Sequence, residues 1–432
     1  MSLDNPHKSA LQTSSQIEAE LNSWLDANWS TELSLKQWRE RLVEGGWACV
    51  QWPRAYFGRD FDKEQTALVR DIFTAREIVG SAQSGPRRLA AETILVHGND
   101  AQKTKYLKPI LTGEHAWCQL FSEPGSGSDL AGATTKAELM GEQGNERWVV
   151  NGQKVWTTSA HHADFGILLA RTDWEVPKHQ GLSYFLIDIR QPGIEVRPLR
   201  QMNGHASFNE VFMSDAEVDT TDLLGGLGNG WSVAATTLTI ERQGFGGNRS
   251  DGGLARLAEL KGRVYEEFRQ ELAVALEPYT WYPQRAGRVD LALPRALETG
   301  AIADPVIRQE LAKLLCMKKG ADLAALGANQ QRKSGSNEII PAGSIGKLAA
   351  SEIARQGALV QTLISGADAM LSGPDSALGG VVAEILLSVP AISIAGGTDE
   401  IQKNIISERV LGMPKEPRSD TGPFRDIPRN LK

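Results

Sequence analysis

Apolar residues recur at three- and four-residue intervals along the first quarter of the chain. Ile17, Leu21, Trp24 and Leu25 form one set; Leu35, Trp38, Leu42 and Val43 form a second, closed by Gly45-Gly46. This spacing puts each set on one face of a helix and predicts helices across 15–115, broken by a Pro- and Gly-bearing loop at 52–58. The pattern then shortens. Segments 117–121, 148–150, 154–158, 165–170, 182–189 and 210–212 are β-rich and separated by Gly, Pro, Asn or Asp, which predicts an antiparallel barrel or sandwich rather than βαβ units. Asn151-Gly152 reads as a type I′ hairpin turn. From Gly228-Asn-Gly-Trp231 the helical period returns, through Glu241, 311–326, 345–363 and 399–411, with Gly412 and Pro414 as the stop. Three domains follow: helical 1–116, β 117–226 and helical 227–432. An insertion around 248–300, with the aromatic run Tyr279-Thr-Trp-Tyr-Pro-Gln284, has no assigned role.

Composition narrows the function classes. A chain of 432 residues exceeds one ordinary core, so two or three subdomains are expected. A net charge of −7 without a dense Lys/Arg run argues against a nucleic-acid surface. Cys49, Cys118 and Cys316 are widely spaced, fitting a reduced compartment without disulfides or a zinc site. Asp4, Glu18, Glu20 and Asp26 do not fit a leader peptide, and no apolar run reaches transmembrane length. A cytoplasmic protein with no membrane partner is expected.

Three short segments carry the chemistry. Ser122-Glu-Pro-Gly-Ser-Gly-Ser-Asp129 is a tight turn whose glycines, Gly125 and Gly127, permit unusual backbone angles and close approach of a ligand. Trp156-Thr-Thr158 ends an amphipathic strand. Ile394-Ala-Gly-Gly-Thr-Asp-Glu-Ile-Gln402 opens a helix. In this order and at these separations they resemble the acyl-CoA dehydrogenases, flavoproteins that desaturate acyl thioesters between the α and β carbons. The resemblance runs from about residue 45 to 414 and implies an α+β architecture: an N-terminal helical domain, a middle antiparallel β-barrel or sandwich, and a C-terminal helical bundle.

The resemblance also implies FAD and an acyl-CoA substrate. Leu120, Phe121 and Ser122, with Trp156, Thr157 and Thr158, would line the flavin ring, Thr158 at its N5 edge and Trp156 as an apolar wall. Thr398 and Glu400 open a helix whose positive end suits a phosphate or a polar ring edge. Ser128 matches a serine that bonds the pantetheine arm, and Arg242 a residue that contacts CoA. No GxGxxG opens a helix, and Gly226-Leu-Gly-Asn-Gly230 is read as a helix-entry loop. The family often grips the diphosphate with an Arg-x-x-Phe-Gly segment. The matching region, Glu298-Thr-Gly-Ala301, has neither the Arg nor the Phe, and Arg242-Gln-Gly-Phe-Gly246 lies one helix too early.

Many family members place a catalytic Glu before the Gly-Thr of the last motif; here Gly396 stands there. A minority carry it on an earlier helix before an Arg, matching Glu241-Arg242. Trp231, Ala234, Leu238, Glu241 and Phe245 fall on one helical stripe, which would desolvate Glu241 and raise its basicity. Gly396 retains an N–H able to polarise a thioester carbonyl. His161-His162 are a loop pair rather than metal ligands, and no metal is expected. The implied reaction is removal of the α-proton by Glu241 with hydride passing to FAD N5. Electrons would go on to an electron-transferring flavoprotein, in a homodimer or tetramer or in a heteromer. Two alternatives remain: an oxygen-using relative (acyl-CoA oxidase, nitroalkane oxidase or flavin monooxygenase), and a non-catalytic partner subunit.

Overall fold

The computed structural model describes residues 12–82, 85–245, 256–257, 259–333, 342–417 and 420–427. Five helices come first: α1 (Ser14–Asn28), α2 (Leu35–Glu44), α3 (Lys63–Ala75), α4 (Pro86–His97) and α5 (Asp100–Thr112). Four of them start at capping boxes, Thr13/Gln16, Ser34/Gln37, Asp62/Gln65 and Asn99/Gln102. Each box satisfies amide groups that the helix leaves open, typically about 1 kcal/mol for the cap. Ile17, Leu21, Leu25, Trp38 and Leu42 are buried as their spacing requires.

Eight strands follow: β1 (Trp117–Leu120), β2 (Lys136–Met140), β3 (Arg147–Thr158), β4 (Phe165–Arg171), β5 (Leu182–Asp188), β6 (Ile194–Leu199), β7 (Phe208–Asp219) and β8 (Leu223–Leu224). They form one sheet in the order β6-β7-β3-β2-β4-β5-β8, with β1 paired to β4. Most pairings are antiparallel; β1–β4 and β2–β4 are parallel. The hairpin expected at Asn151-Gly152 does not exist. β3 runs straight through both residues, and a register shift falls there because β7 carries an extra residue around Asp215. Asn151 Nδ2 donates to Asp215 Oδ1 at 2.9 Å. Glycine at 152 is required by crowding, since a Cβ would stand 2.6 Å from Thr135 Oγ1. The real β2–β3 turn lies at 141–146.

The C-terminal part holds α6 (Gly230–Phe245), α7 (Arg263–Leu276), α8 (Tyr282–Arg285), α9 (Val289–Glu298), α10 (Pro305–Lys333), α11 (Ala342–Ser365), α12 (Val381–Ser388), α13 (Pro390–Ile394) and α14 (Asp399–Arg409). Gly226–Gly230 is the helix-entry loop anticipated. Within Leu378–Arg409 a window reaches mean hydropathy 2.0, so one stretch is apolar and long enough to cross a membrane by composition, contrary to expectation. The chain breaks it into three helices. Gly379, Gly380, Gly396 and Gly397 adopt positive φ, and Pro390 opens α13.

The unassigned segment around 248–300 folds back as a buckle in its described part. Val264, Tyr265 and Phe268 of α7 are buried in the N-terminal core with Leu35, Trp38 and Val79. Glu267 Oε2 accepts from the Leu35 amide at 2.7 Å, and Glu271 pairs with Arg39 and Arg87 at 2.5 and 2.9 Å. Burial pushes the Glu271 carboxyl up, but the two guanidinium groups more than offset this and hold it below the usual range. Glu271→Ala leaves two largely buried guanidinium groups without that carboxylate and should destabilise the protein by about 3 kcal/mol. Thermal unfolding followed by circular dichroism checks this; an unchanged melting temperature would remove the buckle. Residues 248–255 of the insertion lie outside the described residues.

Candidate active site

Strand β3 carries the first half of the site. Between Lys154, paired with Val211, and Thr157, paired with Asn209, two residues of β3 face one of β7. This bulge turns the strand, and Trp156 takes the left-handed backbone region at φ 62°. For a side chain of that size the conformation costs about 1–2 kcal/mol. The indole is left 55% exposed, with its ring edge-to-face on Phe208 at 5.7 Å. Thr157 is buried, and its hydroxyl has no hydrogen-bond partner among the described residues. Thr158 is half-buried opposite Phe208. Leu120 and Phe121 are buried and Ser122 half-buried. The Ser122 carbonyl accepts from the Val155 amide at 2.9 Å, so the residues singled out on β1 and β3 come together.

A buried ion pair behind them was not anticipated. Lys154 Nζ donates to the Phe121 and Leu169 carbonyls at 3.0 and 2.7 Å and to Glu123 Oε1 at 2.8 Å. Glu123 also accepts from Thr134 N and Oγ1 and from Thr135 N, at 2.7, 2.9 and 2.9 Å. Burial would raise the Glu123 carboxyl; the ammonium and these donors outweigh it and bring it down to about 2. The pair ties the 122–129 turn to β3 two residues before Trp156. Lys154 follows Asn151-Gly152-Gln153 in the sequence, so no local pattern marked it as buried. Within the turn, neither Gly125 nor Gly127 adopts positive φ, so the unusual backbone angles that glycine permits are not used there. Gly127 does have open space, with nothing within 4 Å of a built Cβ, and Ser128 is exposed.

The second half is helical. The buried stripe of α6 is Val233, Ala234, Thr237 and Ile240, rotated from the stripe expected through Trp231 and Leu238. Hydroxyl bonding explains the rotation: Thr237 Oγ1 meets Thr93 Oγ1 and Tyr184 Oη, both at 2.9 Å. Glu241 is half-buried at the margin of this stripe, one turn beyond Thr237. The Arg242 side chain lies outside the described residues.

At the head of α14, Thr398 Oγ1 accepts from the Ile401 amide at 3.3 Å and so caps the helix. Glu400 is exposed in its first turn, and Gly396, at φ 69°, is exposed in the preceding loop. The loop is anchored by Asp399, which sequence reasoning missed. Its carboxylate pairs with Lys347 and Arg355 at 2.8 and 3.0 Å and accepts from Ser351 Oγ at 2.8 Å. Burial opposes the charge, yet these donors hold the carboxyl far below its ordinary value. Among the described residues, no hydrogen bond or ion pair joins Gly396, Thr398 or Glu400 to Trp156, Thr157 or Thr158.

Two other features stand apart. A cleft of about 730 Å³ between α4 and α6 is lined by Trp52, Arg88, Glu92, Ser232, Thr236 and Thr239. Ser232 and Thr239 lie about half a helical turn round from Glu241, so the cleft opens on the far side of α6 and is not the place of the base. His161 Nδ1 bonds Asn209 Oδ1 at 3.0 Å, and the described residues contain no group of three metal-ligating side chains.

The middle-domain half fits a flat heteroaromatic ring with polar edges. A strained indole offers its face, and a buried hydroxyl beside it still needs a partner. Residues 13–114, 118–216 and 289–411 match, respectively, the N-terminal, middle and C-terminal domains of acyl-CoA dehydrogenase. Acyl-CoA dehydrogenase IpdE1 of Mycobacterium tuberculosis is 31% identical over 433 residues, covering 94% of this chain and 99% of that protein. IpdE1 of Mycolicibacterium smegmatis is 32% identical, covering 88% of each. Among solved structures, the "Tcur3481-Tcur3483 steroid ACAD" superposes with a TM-score of 0.62 at 22% identity, covering 96% of this chain and 100% of that one. A strand bulge that offers an indole, a clamped turn before it and a capped helix after it thus recur in a chain whose three segments all match one family: the protein belongs to the FAD-dependent acyl-CoA dehydrogenases.

Proposed function

We propose that the chain desaturates an acyl-CoA thioester between its α and β carbons, with Glu241 as the base. The observation that carries this is the placement of Glu241, half-buried on α6 one turn beyond the Thr237 that bonds Thr93 and Tyr184, while position 396 has no side chain. A carboxylate side chain held on this helix can take the α-proton, which a glycine cannot. FAD, when bound, supplies the acceptor for the β-hydrogen as hydride. Trp156 gives the ring a wall, and Thr157 and Thr158 give its edge hydroxyl groups. The amide of Gly396 polarises the thioester carbonyl, and Ser128 and Arg242 take the pantetheine and CoA portions.

Partner binding follows from exposed apolar surface. Leu323, Leu326, Leu359, Leu386, Leu387 and Ile394 are all exposed on the C-terminal helices, a load of apolar area that a second subunit would cover. The region 298–301 lacks the Arg and Phe of the usual diphosphate grip, which favours a heteromer in which another chain supplies it. Two solved neighbours are named as pairs, Tcur3481-Tcur3483 and the ChsE4-ChsE5 complex of Mycobacterium tuberculosis. Electrons leave to an electron-transferring flavoprotein. Glycine at 396 leaves room for a bulky or ring-bearing acyl group.

Anaerobic mixing with a panel of acyl-CoAs tests the reading. At least one thioester should bleach the flavin absorbance near 450 nm, and the reduced protein should reoxidise slowly in air. Rapid turnover with oxygen alone would move the chain to the oxygen-using relatives. A chain that alone binds neither FAD nor any acyl-CoA would favour the non-catalytic subunit.

A further inference from the structure

The run Tyr279-Thr-Trp-Tyr282 forms a ladder of rings. Tyr279 and Tyr282 meet edge-to-face at 4.8 Å, Tyr282 and Trp281 at 5.1 Å, and Trp281 and Phe208 at 6.4 Å. Phe208 in turn meets Trp156 at 5.7 Å. Trp281 is buried and fixed by Nε1 donating to Ser207 Oγ at 3.1 Å. The Arg285 guanidinium lies 4.9 Å from the centre of the Tyr282 ring and braces it. Tyr279, Tyr282 and Phe208 are only half-buried, so the ladder keeps open ring surface.

The far end of the ladder reaches α4. A Cβ on Gly85, which caps the start of α4 at φ 57°, would stand 3.7 Å from Tyr279 Oη. Helices α4 and α6 run antiparallel. His97, at the end of α4, lies beside Gly225 and Thr236 near the start of α6, and Thr93 meets Thr237. Glu241, four residues past Thr237, is about 6 Å further along, level with the first turns of α4. The Tyr279–Gly85 contact is therefore at the same end of the helix pair as Glu241. One ladder of rings thus runs from the start of α4, level with Glu241 along the helix pair, to the Trp156 indole of the proposed flavin wall.

We infer that Tyr279 and Tyr282, contributed by the insertion, form one wall of the acyl pocket and set its preference for flat, ring-bearing acyl groups over thin straight chains. This rests on the reading above of Glu241 as the base. Aromatic side chains are rigid and present flat faces. They pack fully against another ring but cannot collapse around a narrow chain, so space stays unfilled and dispersion attraction is forfeited.

The test compares 3-phenylpropanoyl-CoA, which carries a flat ring, with octanoyl-CoA. In the wild-type protein the ratio of their kcat/KM values should favour the ring by about tenfold or more. Tyr279→Ala should lower that ratio about tenfold at unchanged FAD content, while Tyr279→Phe, which keeps the ring, should preserve it. Tyr279→Leu serves if the alanine variant does not fold. An unchanged ratio in a variant that retains FAD overturns the wall. A separate arm uses the Glu241→Gln protein and follows the shift of flavin absorbance as each thioester binds. If the wild type reduces with neither thioester, Glu241 chemistry is wrong. The wall still stands if binding favours the ring and loses that preference with Tyr279→Ala, and falls if it does not.

Discussion

Glu241→Gln should slow flavin reduction by an acyl-CoA by about 10²–10⁴-fold, the range over which positioned acid–base groups act. The amide matches the carboxylate in shape and keeps the half-buried margin of α6 filled, but it does not accept the α-proton. FAD content and thioester binding should therefore survive. Anaerobic stopped-flow at 450 nm gives the reduction rate, and titration of the oxidised flavin spectrum gives the affinity. A variant that reduces at the wild-type rate would take the base away from α6. Gly396 has no side chain to replace it, so some third group would then have to be found.

Lys154→Met is expected to be the most damaging single change in the middle domain. It removes the cation from a fully buried pair and leaves the Glu123 carboxylate desolvated, a loss of about 3–5 kcal/mol. The damage should reach function, because Lys154 also holds the Phe121 carbonyl at the edge of the proposed flavin wall. Purified Lys154→Met protein should carry less FAD per chain than wild type, and adding Glu123→Gln should recover part of the stability by removing the stranded charge. Full FAD content and an unchanged melting temperature in the single variant would show that the pair is dispensable. Acid offers a second view. The Glu123 carboxyl lies at about 2 in the fold against 4.5 in the open chain. Its depressed value stabilises the fold fully above about pH 4.5 and progressively less as pH falls toward 2, to the extent of about 3 kcal/mol. Acid unfolding of the wild type should steepen in that window, and the double variant should lose this component.

The N-terminal helices were legible because their signals are local. Three- and four-residue spacing and a Gly-Gly stop act within a few residues of chain, and no distant contact overrode them. The strands were less so. Asn151-Gly152 carries the local chemistry of a hairpin turn, yet lies mid-strand because Asp215 and Thr135 close on it from β7 and from the start of β2. The stripe of α6 was misplaced for a similar reason. Thr237 is polar by type but buried by its bonds to Thr93 and Tyr184, from segments about 140 and 50 residues away.

By itself the sequence determined the family, the three-part layout and the short segments from which the site is built, since glycine turns, strand ends and helix caps are written in adjacent residues. Only the tertiary structure decided how those segments are held. It showed Lys154 and Glu123 as the clamp under the 122–129 turn, Asp399 as the anchor of the 396–398 loop, and the segment 263–285 as a buckle bearing a ladder of rings. A buried ion pair or a ring contact is a property of two or more segments brought within a few ångströms. Neither segment alone carries the charge balance or the packing that results.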